Sequence, residues 1–341
     1  MIETISDTTI SGLSRRLVAL RIEGGATTLG RVLTLVIPCT LDGVEEAIEA
    51  ANFASREHPM RVILIALPGL EPGGRPGPGA SQLALVPREP KDGLDAEIRL
   101  GGDAGASQVI VLLPRGAAAA APDRLVSGLS LPDAPVVVWW SDIWPDHAAE
   151  TPLGRLAQRR ITDSGAFLDP ANRLRALAHD SQPGDTDLAW ARVTLWRAQL
   201  AAALDNAPHC TITDVTVSGT PDSSSTTLLA AWLRLQLGVP VHRREMPFDA
   251  GITWGIHSVV IHSPDGDISI TRSHGAFVAV EQPGHPRLEV PLPRRPLREC
   301  LAEDLRLLRP DELYQRVVTE GVPMLLGDPT TDILILPEEL A

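Results

Sequence analysis

The strongest constraint on the fold of this chain is an alternation near its start. Leu29 to Ile37 is a run of apolar and β-branched residues, Val44 to Glu57 has apolar residues at helical spacing, and Arg61 to Leu67 is a second apolar run. Ala47, Ile48, Ala51 and Ala54 recur at three- and four-residue steps and mark one inward helix face. Strands that read as nearly continuous apolar runs are buried on both faces, and a helix between two of them joins parallel neighbours. A βαβ unit is therefore expected, and with it a parallel sheet.

The alternation continues. Asp95 to Leu100, Gln108 to Leu113 and Ala134 to Trp140 read as further strands, with helices expected over Ala117 to Leu129 and Leu153 to Arg159. Ahead of them Ile10, Leu13, Leu17 and Leu20 mark a first helix, which Gly24 and Gly25 end. Arg160 to Ser164 reads as a short strand and Pro170 to Ser181 as a linking helix. After residue 210 the pattern repeats once, in Thr211 to Ser218, Ser223 to Leu237 and Val239 to Arg243, and then changes. Short β runs at Ile256 to His262, Ile268 to Thr271, Ala276 to Val280 and Leu288 to Val290 are separated by turns, the pattern of an antiparallel meander. Helices opening at Pro296 and Pro310 come next.

At 341 residues the chain exceeds the size at which single cores stop growing. The expected architecture is α/β: an N-terminal Rossmann-like, mostly parallel sheet over residues 1–166, and a C-terminal α/β domain with an antiparallel meander over 167–341. The Pro/Gly-rich stretch from Pro68 to Gly93 reads as a mobile surface insertion.

Composition excludes several functions. Acidic residues outnumber basic ones 43 to 30, and the net charge of −13 argues against nucleic acid or an anionic membrane as a main partner. The first 25 residues lack a basic region followed by an apolar run, and no stretch reaches the roughly 18 apolar residues of a membrane span, so a cytoplasmic protein is expected. Cys39, Cys210 and Cys300 are isolated, which fits reduced thiols rather than a disulfide or metal site. The histidines form no metal-ligand set, and there is no GxSxG nucleophile elbow. Gly101, Gly102 and Gly105 match neither GxGxxG nor the P-loop spacing. No catalytic residue, cofactor site or metal site is assigned.

Tryptophan and arginine gather in two places. One is Pro183 to Leu204, where Asp185 and Asp187 stand at an expected helix start, and Leu188, Ala191, Leu195, Ala198 and Ala202 form an apolar stripe. Trp190, Arg192, Trp196 and Arg197 are residue types common at interface hot spots, and they read equally as core indoles with arginine stems over them. Trp196 is assigned to the core beside the stripe, and Arg197, off the stripe, to a contact. The second place is the end of the fifth strand, where the residues from Trp139 to Trp144, beginning with the pair Trp139 and Trp140, occupy the position of a ligand site, or the aromatics cap the sheet. Asp163, at another strand end, either orients an arginine or makes an Asx turn.

The run GDTDLAWARVTLWR from Gly184 to Arg197 resembles the signature of the glucose-6-phosphate dehydrogenase assembly protein family, also called OpcA. Five further stretches resemble that family in the same order: GGATTLGRVLTLVI from Gly24, ASREHPMRVI from Ala54, DAEIRLGGDAGASQVIVL from Asp95, LPDAPVVVWW from Leu131 and RRITDS from Arg159. The resemblance spans most of the chain from residue 5 to about residue 318. It departs at the insertion after Leu67 and at an extension from Gly321. It implies a non-catalytic cytoplasmic partner of glucose-6-phosphate dehydrogenase, acting through its surface as an allosteric activator at the entry of the pentose phosphate pathway. Stoichiometry, including a homo-oligomer, stays open. The thiol control found in photosynthetic members gains no support from three isolated cysteines. Asp185, Asp187, Trp190, Arg192, Trp196, Arg197, Trp139, Trp140 and Asp163 are the partner-surface candidates. The alternative function is an enzyme or sensor that binds a nucleotide or sugar phosphate at the N-terminal sheet.

Overall fold

A computed structural model describes residues 1–23, 32–67, 92–100, 108–167, 169–246 and 255–326. Most of the Pro/Gly-rich stretch, the glycines 101, 102 and 105, and the chain beyond residue 326 lie outside the described residues.

The chain forms two compact units. The first comprises residues 1–167, 182–186 and 296–310, and the second 168–181, 187–295 and 311–341. Sequence patterns suggest a single crossing near residue 167; the chain instead returns to the first unit twice.

The first unit holds an eight-stranded sheet. Its strands are β1 (Ile2–Ile5), β2 (Leu33–Cys39), β3 (Met60–Ala66), β4 (Gly93–Arg99), β5 (Gln108–Arg115), β6 (Val136–Trp139), β7 (Arg159–Thr162) and β8 (Asp185–Asp187), in the spatial order β1-β4-β5-β3-β2-β6-β7-β8. From β5 to β7 all neighbours are parallel. Taken in chain order, those strands lie 3-2-1-4-5, the doubly wound arrangement whose ligand crevice opens where the order reverses, between β2 and β6. The expected parallel sheet is present. β4 and β1 add an antiparallel edge that the sequence did not reveal.

One face of this sheet is covered by α1 (Ile10–Glu23) through Leu13, Leu17 and Leu20, joined by Leu125 and Val126 of α3 (Pro122–Ser127). α2 (Val44–Ala54) buries Ala47, Ile48, Ala51 and Ala54, the face its spacing requires, and packs against α8 (Leu297–Asp304) from the returning segment. The helix expected over Leu153 to Arg159 is a single 3-10 turn, Gly154–Leu156, after which Arg159 opens β7. A Cβ at Gly154 would stand 1.8 Å from the Ala148 carbonyl oxygen, so only glycine fits in this turn. The helix expected over Ala117 to Leu129 is likewise reduced to α3 and a 3-10 turn, Gly116–Ala118.

The second unit contains a six-stranded sheet in the order β10-β9-β11-β12-β13-β14. β9 (Asp214–Gly219) and β10 (Val241–Glu245) are parallel and joined by α7 (Ser224–Leu237). β11 (Ile256–His262), β12 (Ile268–Arg272), β13 (Phe277–Glu281) and β14 (Leu288–Pro291) form the antiparallel meander. Ser223 caps α7 by accepting from the Thr226 amide, and Gly238 ends it in the left-handed region. α4 (Pro170–Asp180), α9 (Glu312–Arg316) and α10 (Val322–Leu326) belong to the same unit.

The helix expected to run unbroken to Leu204 is two helices, α5 (Leu188–Arg192) and α6 (Thr194–Asp205). At Val193 the amide donates to the Trp190 carbonyl, a three-residue bond that tightens the turn and shifts the phase of α6 relative to α5. α6 therefore buries Trp196, Leu200 and Ala203, whereas Leu195, 36% exposed, Ala198 and Ala202 face outward. Asp187, and not Asp185, caps α5, accepting from the Ala189 amide at 2.9 Å.

Two arginines bind the returning segments within the first unit. Arg159 donates to both carboxylate oxygens of Asp304, at 2.8 and 2.7 Å, and to the Arg309 carbonyl. Arg160 pairs with Asp185 and donates to the Pro183 carbonyl. Arg159 and Asp304 are both buried, so removing one strands the other's charge. Arg159→Ala is expected to lower unfolding stability by about 3–5 kcal/mol, measured by denaturant titration.

Candidate functional site

The crevice expected of a doubly wound sheet lies at the carboxyl ends of β2 and β6, and this chain fills it with its own carboxylate. Asp142, two residues beyond the Trp139–Trp140 pair, accepts from the Thr40 amide at 3.0 and 3.2 Å and from the Thr40 hydroxyl. The Thr40 hydroxyl in turn accepts from the Gly43 amide at 3.2 Å. Gly43 precedes the first turn of α2, where a backbone amide and the helix dipole favour an anion. A Cβ on Gly43 would lie 2.2 Å from Asp142 Oδ2, so the carboxylate takes the space that any larger side chain would need.

The surroundings are also negative. Glu46 occupies the first turn of α2, where its neighbour Glu45 is paired with Arg99. Partial burial, then the charges of Asp142, Asp163 and Glu49, raise the Glu46 carboxyl above its ordinary range. Burial, reinforced by Asp142, holds the Cys39 thiol well above its usual value, in the inert form. The arrangement suits neither a diphosphate nor thiol chemistry. Among the described residues, no group of three or more histidine, cysteine or carboxylate side chains is placed to hold a metal.

Trp139 is fully buried in β6. Trp140 joins the apolar cluster beneath α1 and donates its amide to the Ile161 carbonyl. Asp163 is buried and accepts from the Gly165 amide at 3.2 Å, capping the 3-10 turn Ser164–Ala166; this is the Asx-turn geometry. Asp185 accepts from the Gln182 amide at 2.7 Å besides pairing with Arg160; burial nevertheless lifts its carboxyl above the ordinary value, outweighing both contacts.

In the second unit Trp190 is buried between an arginine and a tyrosine. The Arg197 guanidinium lies 3.6 Å from the Trp190 ring centroid, and Tyr314 approaches at 5.9 Å. The indole N–H donates to Asp311 at 3.0 Å, and the other oxygen of Asp311 caps α9 through the Tyr314 amide. Trp196 is buried and carries Arg272 at 5.3 Å. Trp190 and Arg197 thus stack on each other across the break at Val193.

Of the nine partner-surface candidates, Asp185, Asp187, Trp190, Trp196, Trp139, Trp140 and Asp163 are buried, and Arg192 and Arg197 are partly exposed. The structure brings together Trp190 and Arg197, and separately the strand ends bearing Trp139, Trp140 and Asp163. Sequence reading placed Asp142 only as part of the stretch from Trp139 to Trp144 and missed Thr40, Arg159, Asp304 and Asp311. Arg159 and Asp304 are 145 residues apart, a separation at which no local pattern links them.

Among the described residues, no helix is long and apolar enough to cross a membrane. Two family models match the chain: residues 51–179 fit the glucose-6-phosphate dehydrogenase subunit N-terminal domain, and residues 183–318 the C-terminal domain of the same subunit. No curated protein matches significantly. Among solved structures, a 3-ketoreductase from Actinomadura kijaniata in complex with NADP and TDP-benzene is similar at 11% identity and a TM-score of 0.45, over 88% of this chain and 97% of that one. A myo-inositol dehydrogenase from Corynebacterium glutamicum is similar at 11% identity and a TM-score of 0.37, over 86% and 94%.

Glu46 provides a test of the filled crevice. A carboxyl raised in the folded state holds more protons there than in the unfolded chain, so its contribution falls as pH rises above the unfolded value. Glu46→Gln is therefore expected to melt higher than the parent at pH 7, with the difference vanishing near pH 4, as read by paired thermal melts.

Proposed function

Because the chain belongs to the glucose-6-phosphate dehydrogenase subunit family, we propose that it is a non-catalytic assembly subunit that activates this dehydrogenase in the cytoplasm, at the entry of the pentose phosphate pathway. The observation that carries this reading is Asp142, whose carboxylate lies against Thr40 and Gly43 at the place where a doubly wound enzyme would hold a dinucleotide's phosphates. The alternative reading, a nucleotide or sugar phosphate bound at these strand ends, would have to displace Asp142 and tolerate Glu46 and Asp163. Activation then works through binding alone. A subunit raises activity by binding the active conformer or oligomer of its partner more tightly than the inactive one.

The outward face of α6 is the surface we assign to the dehydrogenase. Leu195, Ala198 and Ala202 form an apolar stripe that the break at Val193 turns to solvent, flanked by the partly exposed Arg192 and Arg197. The buried candidates act differently: Asp187 caps α5, and Trp190 donates to Asp311. Small apolar residues rimmed by arginine suit a protein contact.

Mixing the purified chain with purified dehydrogenase should give a saturable rise in dehydrogenase rate and a heteromer by light scattering. Leu195→Asp is expected to weaken that affinity at least about tenfold with an unchanged melting temperature, since it changes only an exposed position. Turnover of glucose 6-phosphate by the chain alone, or failure to form a heteromer, would overturn the reading.

A further inference from the structure

Three segments of the second unit enclose a surface cavity of about 320 Å³: residues 206–210 after α6, the turn carrying Asp265 and Gly266 between β11 and β12, and the turn at 282–285 between β13 and β14. That volume suits a small organic molecule. The walls are held in place. The Gln282 side-chain amide donates to the Ala203 carbonyl at 2.7 Å and ties the β13–β14 turn to α6. Gly266 has a φ of +113°, and a Cβ there would stand 2.8 Å from Pro283 Cγ, so the two turns meet with no room for a side chain at this position. Pro208, Pro283 and the buried Ile268 supply an apolar wall.

The charges around the cavity have one sign. Among the described residues its lining holds no arginine or lysine and a single carboxylate, Asp265. The Asp265 amide is fixed by the Ser263 hydroxyl at 3.2 Å, and its carboxylate makes no hydrogen bond or ion pair with the described residues. Asn206, also in the lining, is the residue that ends α6, so the carboxyl end of a twelve-residue helix lies at the cavity. The last turn of α6 carries no basic residue and finishes on Asp205. A helix carboxyl end without a compensating cation favours a positive charge, and so does an unpaired carboxylate.

We propose that this cavity binds a small organic amine cation bearing an apolar ring or short chain. The ammonium group is drawn to Asp265 and the end of α6, and the carbon body lies against Pro208, Pro283 and Ile268. The same groups repel phosphates and carboxylates. The site is separate from the filled crevice of the first unit and does not depend on the partner reading, because it is tested on the chain alone.

Cys210 lines the same cavity and is half-buried, whereas Cys39 and Cys300 are buried, so the rate of alkylation of the native full chain by iodoacetamide reports on the cavity. The probes are phenethylamine, phenethyl alcohol and hydrocinnamate, which share a phenyl ring and differ in the charge of the head group. Measurements are made near pH 8, at about the midpoint between the ordinary imidazole and alkylamine ranges, and at matched ionic strength. Phenethylamine should slow alkylation saturably, with a half-saturating concentration at least about threefold below that of the alcohol, and hydrocinnamate should bind more weakly than either. Calorimetric titration of the same probes should give the same order. Asp265 is exposed and its side chain unbonded, so Asp265→Asn is expected to fold and to reduce the preference for the amine over the alcohol. Absence of slowing by any probe, equal action of the amine and the alcohol on the parent, or an undiminished preference in Asp265→Asn would overturn the proposal.

Discussion

The Arg159 guanidinium, bound by both oxygens of a buried Asp304, is the interaction on which the first unit depends. It starts on β7 in the middle of the chain and ends on α8, a segment that reaches this unit only after the whole meander has been made. Thr186 adds its hydroxyl to Asp304 at 3.1 Å, so β8 is tied to the same carboxylate. Arg160, the next residue, takes Asp185 and the Pro183 carbonyl. The two adjacent arginines thus secure both returning segments. A pair so enclosed contributes less net stability than its distances suggest, because each ion has lost its water. What it gives is a penalty on any arrangement that leaves one charge alone.

Other charges are placed locally within each unit. In the first, Asp142, Asp163, Glu46 and Glu49 gather near the strand ends where an enzyme of this topology would welcome an anion. In the second, Arg272 lies over the Trp196 ring. The same backbone amides that could have met a phosphate are satisfied internally at Thr40. The doubly wound sheet of this member of the subunit family thus holds a carboxylate of its own at the crevice.

Much of the fold was legible because buried parallel strands leave uninterrupted apolar runs, as in Leu33–Cys39 and Met60–Ala66. The meander was legible from its short runs and turns. β8 was not, since its three residues, Asp-Thr-Asp, are polar and become a strand only through partners elsewhere. The break at Val193 is hidden in the sequence because either helical phase presents apolar residues: Leu195, Ala198 and Ala202 in one, Trp196, Leu200 and Ala203 in the other. Tertiary packing of the two indoles selects the second. The candidate residues were legible by type, and their roles were not, because the partners of Asp185, Trp190 and Asp142 lie 25, 121 and 102 residues away.

The central claim is that the buried ion pairs within the family-like segments are internal ties, and that the dehydrogenase is met by exposed surface. The most direct measurement is the affinity of an Arg159→Met, Asp304→Leu double variant for the dehydrogenase. Replacing both ions by apolar groups of similar size removes the pair without stranding a charge, so the variant is expected to fold. Binding and activation within about twofold of the parent are expected. A folded double variant that no longer binds the dehydrogenase would contradict the account.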